Sequence, residues 1–504
     1  MVYPNLKFRE MKKILLSLAA ISLTTLMMAG GLVTNTNQSA SYTRMMCRDA
    51  TTGVDAVYYN PAGLTKLGNG LHISLSNQTI SQTKTITSDY SFLSGTKPVE
   101  YTGKVSAPLF PSVYAAFKLG KFVVSAGFNP VGGGGGAEYL GGLPSFEMPI
   151  ASILPGMVSQ LQPLDQGAQA IFGTDPQFSN ITSYGADIQF TGSSVYYGTQ
   201  LNLSYEVNNM ISVAAGARYV MAKNTYSGSV SNVMINAEPN PSIGLTSPYN
   251  GTPGDYLRLV ASHSYAIALG ADGNLNAAAT MIDQATDIEV DVVQEGSGIT
   301  PILGVNITPV KMLNLSLKYE HSTKLELITS VNDGKDGGGM YSSGDTVVAD
   351  MPAMLSVGAS LSPGSKLLIS AGVHYYFDKN NDYDGNPGGT QIEMIDNNFI
   401  EYGLGVEYNV FGPVNVSAGY LGTKTGVNDL YQSDLRYSLD THTFGTGLKL
   451  SLTSMLDINL GASMTVYQDG EKSFAYPETS SSLIVTETYD TETWVVAVGV
   501  DLHF

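Results

Sequence analysis

Three groups of residues in this 504-residue chain have the types and spacing to do chemistry. The first is a pair of cations on alternating segments. With Ile211, Val213, Ala215, Ala217 and Tyr219 on one face of an extended run, Arg218 falls on the other. The same count along Leu313, Leu315, Leu317 and Tyr319 places Lys318 opposite them, beside Glu320. A cation in a partly dry interior seeks a carboxylate, because charge-assisted contacts are strong there. That carboxylate is either the head group of a ligand or an internal partner such as Glu320, Glu401 or Glu407. The second group is Asn60-Pro61-Ala62. Pro61 lacks a backbone donor and fixes its own φ, Asn60 is pushed toward extended backbone, and Asn side chains bond back to nearby backbone. The triplet reads as a rigid turn, with or without a part in gating. The third group is Phe128-Asn129-Pro130-Val131 and the five glycines Gly132 to Gly136. Proline deletes a ladder hydrogen bond and glycine permits bends. Asn129, Pro130, Gly132 and Gly133 therefore mark either a break in a β-wall or the start of a flexible loop.

Other chemistry is poorly provided for. The six histidines, at 72, 263, 321, 374, 442 and 503, have no metal spacing, and no Ser/His/Asp pattern of a hydrolase stands out. Neither a catalytic residue nor a metal or cofactor site is expected. The run Asn380-Asn381-Asp382-Tyr383-Asp384-Gly385 is similar to a calcium loop but starts with Asn and has Gln391 at the twelfth position, so it reads as a solvated loop. No Gly-Lys-Ser/Thr follows the glycine run, which excludes a phosphate cradle. One cysteine, Cys47, excludes a disulfide framework, and a net charge of −18 argues against nucleic acid as a partner.

The elements that must position these residues are strands. Charged residues make up only 13% of the chain, while Gly (55) and Tyr (30) are abundant. Period-two alternation dominates beyond residue 70, as in Leu456 to Val466 and in Trp494, Val496, Val498, Val500, Leu502 and Phe504. Fourteen strands are expected, near 70–80, 104–119, 121–130, 189–206, 210–226, 286–308, 312–329, 344–361, 366–378, 398–410, 413–424, 436–452, 455–469 and 486–504. Links after even-numbered strands are tight, as at Leu119-Gly120-Lys121 and Phe411-Gly412-Pro413. Links after odd-numbered ones are long, above all 131–188 and 227–285. This is the plan of an all-β, 14-stranded antiparallel outer-membrane barrel spanning 70–504, greasy side to the lipid. The 137–188 stretch carries Phe146, Ile150, Leu154, Met157 and other apolar residues, which either bind something greasy or pack on themselves. A helix is expected over Leu269 to Ile282.

The N-terminus is an address. Met11-Lys12-Lys13, the apolar run from Ile14 to Ile21 and the small residues Ala29-Gly30-Gly31 read as a signal peptide over residues 1–29, with 1–10 as an upstream extension. Residues 30–69 do not alternate, yet precede the first strand. With Asn60-Pro61-Ala62 inside it, following the small and acidic stretch of Asp49 and Gly53 to Ala56, this segment resembles the N-terminal hatch of the FadL family of outer-membrane transporters. The resemblance implies a lumen plugged by residues 30–69. It also implies a kinked third strand at Asn129 to Gly136 through which ligand leaves sideways, and outer loops that first capture the ligand. The loop 330–343 is shorter than the family's usual element. Passive uptake of hydrophobic molecules, above all long-chain fatty acids, by a monomer in the outer membrane of a Gram-negative bacterium is the expected function. Its partners would be that ligand and the surrounding outer-membrane lipid. The alternative is a structural or surface-recognition barrel whose loops bind and transport nothing.

Overall fold

The computed structural model describes residues 32–381, 393–476 and 483–504. The signal segment 1–29 and Asp382 to Gln391 of the calcium-like run lie outside the described residues.

Alternation builds the wall. In chain order the strands are β1 (Gly70–Ser88), β2 (Val99–Leu119), β3 (Phe122–Tyr139), β4 (Ile181–Glu206), β5 (Ile211–Ala237), β6 (Tyr249–Gly251) and β7 (Ile288–Val310). They continue with β8 (Leu313–Glu320), β9 (Glu326–Asp336), β10 (Thr346–Val348), β11 (Met354–Leu361), β12 (Leu367–Tyr376), β13 (Ile400–Phe411) and β14 (Val414–Lys424). The last are β15 (Thr441–Thr453), β16 (Leu456–Tyr467), β17 (Gly470–Ala475) and β18 (Ile484–His503). Strand β7 pairs with both β8 and β9, β11 and β10 continue that pairing, and β18 pairs with both β16 and β17. Each of these three couples is thus one interrupted stave, and β6 is a short addition to β5. The result is fourteen antiparallel staves, closed where β1 meets β18 in register from His72↔His503 to Ser88↔Glu487.

The staves turn soluble-protein logic inside out. On β4, Leu201 and Leu203 are 63% and 53% exposed, whereas Gln200, Asn202 and Ser204 are buried. A wall apolar outside and polar inside suits a closed barrel in lipid, where every backbone group must be paired internally. Among the described residues no helix is long and apolar enough to cross a membrane.

Several expected boundaries change. The segment 131–188 is not loop throughout: β3 runs through the glycines to Tyr139, and β4 begins at Ile181. Likewise β5 runs 27 residues, to Ala237, well past the roughly 9–11 that a tilted strand needs to cross a bilayer. The wall rises beyond the membrane because inward residues such as Tyr226, Val230 and Ile235 have a core to enter.

That core is a cap at the long-loop end. Two short helices within residues 32–69, α1 (Ala40–Met45) and α2 (Ala56–Tyr59), belong to the plug described below; the cap holds α3 (Pro144–Ala151), α4 (Ile153–Phe172), α5 (Pro253–Ala261), α6 (Ser264–Ala268) and α7 (Asp272–Asp283). The helix expected over Leu269 to Ile282 corresponds to α7. Ile150 and Met157 are 2% exposed, and Phe146 and Leu154 pack against the same cluster, which includes Leu161, Tyr256, Leu257 and Ile282. The apolar loop residues thus pack on themselves and on the extended strands, one of the two readings the sequence left open.

Candidate functional site

Residues 32–69 sit inside the barrel. From Leu32 to Thr65 they are almost all buried. Asn60 caps a 3-10 turn, Pro61–Lys66, by accepting from the Ala62 N–H at 3.2 Å. Its Nδ2 donates to the Val305 carbonyl of β7 at 2.9 Å, and the Pro61 carbonyl accepts from Ser204 Oγ at 2.7 Å. Asn60-Pro61-Ala62 is therefore a rigid turn that ties the end of the plug to the wall on two sides.

Charge holds the rest of the plug. Arg48 grips Asp55 with two bonds of 2.8 Å, and Ser39 and Thr51 add theirs. Burial alone would raise the Asp55 carboxyl, but the Arg48 guanidinium outweighs it and holds it below the usual carboxylate range. Arg44 reaches across to Glu407 of β13. Asp49 is bound by His374 Nε2 and, at 2.8 Å, by Ser356 Oγ, while His374 Nδ1 faces Glu401 at 2.7 Å. His374 thereby bridges a plug carboxylate and a wall carboxylate. The serine reaches the aspartate rather than the histidine, so no nucleophile–base pair is formed here.

Arg218 and Lys318 face the lumen, as their alternation predicts. Arg218 makes a bidentate pair with Glu320 (2.6 and 2.9 Å) and bonds Gln200 Oε1. Lys318 donates to Glu320 at 2.8 Å and to the Tyr58 carbonyl of the plug at 3.0 Å. Both cations lie 4.9 Å from the Tyr58 ring centre. Of the two carboxylates left open for these residues, the internal one is present, and the cluster fastens the plug.

The wall is interrupted between β2 and β3. Their pairing jumps from Val105↔Ala137 to Val113↔Phe128, leaving residues 106–112 and 129–136 without mutual ladder bonds, while β3 stays paired to β4 through bulges at Pro130/Gly132 and Gly133/Gly135. Three prolines explain it. Pro130 was legible as a breaker, but Pro108 and Pro111 on β2 remove two more donors at the same level. Their effect shows only when β2 is set against its neighbour β3, which no single segment reveals. From inside, the plug takes up the free edge: the Asn35 N–H donates to the Val131 carbonyl at 2.9 Å, Gln38 Nε2 to the Pro130 carbonyl at 2.6 Å, and Thr34 bridges Gly132. Gly132 is needed because a Cβ there would collide with the Val33 carbonyl, and Gly133 because its φ is +76°. Within the interrupted stretch of β3, both amide atoms of buried Asn129 have no hydrogen-bond partner among the described residues.

A second feature lies just above the interruption. Lys84 of β1 borders a cavity of about 30 Å³ lined also by Tyr139, Phe190, Tyr226 and Asp434. Lys84 lay beyond the strand limits of 70–80 expected from sequence, which hid its inward register. Burial pushes the carboxyl of Asp434, on the loop after β14, above its ordinary range.

No protein-family model matches the chain, and no curated protein does. Solved structures do resemble it. A FadL homologue of Pseudomonas aeruginosa superposes with a TM-score of 0.59 at 12% identity, over 94% of this chain and 99% of that one. The Pseudomonas putida toluene transporter TodX gives 0.54 at 12% identity, over 94% and 100%. A TodX deltaS2S3 mutant, a monoaromatic hydrocarbon channel, gives 0.54 at 13%, over 92% and 99%. The chain has the fold of these outer-membrane channels along nearly its whole length.

Proposed function

We propose that this protein belongs to the FadL family and takes up hydrophobic molecules passively across the outer membrane of a Gram-negative bacterium, with long-chain fatty acids as the substrate class. It acts as a monomer, needs no cofactor and carries out no catalysis. The ligand passes from the cap into the lumen, past a displaced plug, and leaves sideways between β2 and β3. The observation that carries this reading is the interrupted β2–β3 ladder, sealed from within by plug residues 34–38. An interruption of this kind gains nothing for a barrel that only presents loops, because unpaired backbone in lipid is costly. The names of the folds it resembles, a FadL homologue and a toluene transporter, support a hydrophobic cargo. One observation favours the rival surface-recognition reading: the apolar cap residues Phe146, Ile150, Leu154 and Met157 are engaged in their own core.

The test is uptake of radiolabelled oleate by cells lacking their own fatty-acid porin, with the wild-type protein and with a variant in which Asn129 to Gly136 is replaced by a regular strand sequence. Uptake above background that the replacement abolishes is the expected result. A folded barrel in the membrane with oleate uptake at background would overturn the fatty-acid assignment and leave the recognition reading standing.

A further inference from the structure

We propose that Lys84 is the head-group contact of an anionic ligand in the upper lumen, an apolar body carrying one carboxylate. The inference rests on the uptake reading above and assigns the chemistry of its cargo. Among the described residues, the plug and lumen cations Arg44, Arg48, Arg218 and Lys318 each have a carboxylate within ion-pair distance. Lys84 is as deeply buried, at 4% exposure, and has none. Its ammonium lies 4.5 Å from the ring centre of Tyr437, a contact that tolerates a cation without neutralising it. Burying an ammonium without a counterion is expensive, so the position is prepared for an anion that the described residues do not supply.

The surroundings say what kind. The cavity holds about 30 Å³, the space of about two water molecules, which fits a carboxylate and not a chain. Tyr139, Phe190 and Tyr226 form an aromatic wall beside it, and Ser194 of the inward face completes the lining. Ser193 and Ser194 are the β4 residues in register with Gly136 and Gly135, so the cavity borders the upper end of the β2–β3 interruption. A ligand held at Lys84 by its head would have its apolar body beside the exit. The one acid in the lining, Asp434, is engaged by the Ser145 N–H at 2.7 Å. A neutral hydrocarbon would gain nothing from Lys84, so the residue distinguishes an acid from a hydrocarbon of similar bulk.

The experiment measures equilibrium binding of radiolabelled oleate and of methyl oleate at neutral pH to the full barrel held in amphipol. It compares wild type, Lys84→Gln and Lys84→Arg, each confirmed as folded by its heat-dependent gel shift. The expected result is that Lys84→Gln weakens oleate about tenfold or more, the scale of a lost charge-assisted bond. Methyl oleate should bind all three alike, and Lys84→Arg should restore oleate. Unchanged oleate affinity in Lys84→Gln would overturn the inference, as would equal weakening of acid and ester, which would make Lys84 a packing residue under Tyr437. Wild-type binding of the ester but not the acid would overturn it too, leaving uptake of neutral hydrophobes intact. A wild type that binds neither overturns the uptake reading itself.

Discussion

Replacing Glu320 by Gln should loosen the plug far more than the wall. The substitution keeps the shape of the side chain but removes the carboxylate that Arg218 and Lys318 share, at 2.6 to 2.9 Å. Both cations stay buried while the plug is seated, because Tyr58 covers them. Removing one partner of a buried pair costs about 3–5 kcal/mol, whereas in a hydrated lumen the same pair is worth about 0–1. The difference, about 3 kcal/mol, falls on the seated state, since water reaches both cations once the plug moves. At about 1.4 kcal/mol per decade the equilibrium for plug opening should rise on the order of a hundredfold. The chain carries its own reporters. Its single cysteine, Cys47, is buried in the plug, and its single tryptophan, Trp494, is 57% exposed on the outer wall. In lipid vesicles, the rate of Cys47 labelling by a thiol reagent measures plug opening, and Trp494 emission during urea titration measures the wall. The expected outcome is a labelling rate raised about a hundredfold with a wall transition that shifts little. An unchanged labelling rate in a folded barrel would refute the claim that this cluster fastens the plug.

Three further outcomes follow from the same geometry. The carboxyls of Asp49 and Asp55 lie below their ordinary value of 3.8 in the folded state, burial being outweighed by His374 and Arg48 respectively. They therefore stabilise the seated plug fully above that value, and lose their contribution only as pH falls through the lowered one. Hydrogen exchange over residues 39–66, corrected for intrinsic rate, should be flat from pH 5 to 6 and rise in stronger acid. Gly63→Ala puts a Cβ into the Thr51 carbonyl, so Cys47 labelling should speed up although the wall is untouched. Leu161→Ala, at a fully buried position of the cap core, should cost the cap about 2–5 kcal/mol. It should appear as faster protease cleavage within residues 140–180 while the heat-dependent gel shift of the barrel is kept.

Much of the architecture is local and hence legible in the chain. Period-two alternation at Leu313 to Glu320 and Trp494 to Phe504 states which face is greasy, and short turns against long links state which end is which. Because the side-chain period of a strand is two, Arg218 and Lys318 could be placed in the lumen by counting alone. Glycines and prolines at 129–136 announced trouble in a strand, since their effect is on their own backbone. What the tertiary structure decided is everything that depends on which strand lies beside which. Pro108 and Pro111 matter because β2 brings them level with Pro130. The pairing of Arg218 and Lys318 with Glu320 depends on register across three strands and on the plug beneath. Whether Ile150 and Met157 met solvent, cargo or each other depended on helices from two separate loops meeting over extended strands. Lys84 reads as one more cation in a polar run until closure and the cap bury it beneath Tyr437, because burial and the absence of a counterion among the described residues are properties of the assembled barrel and not of any segment.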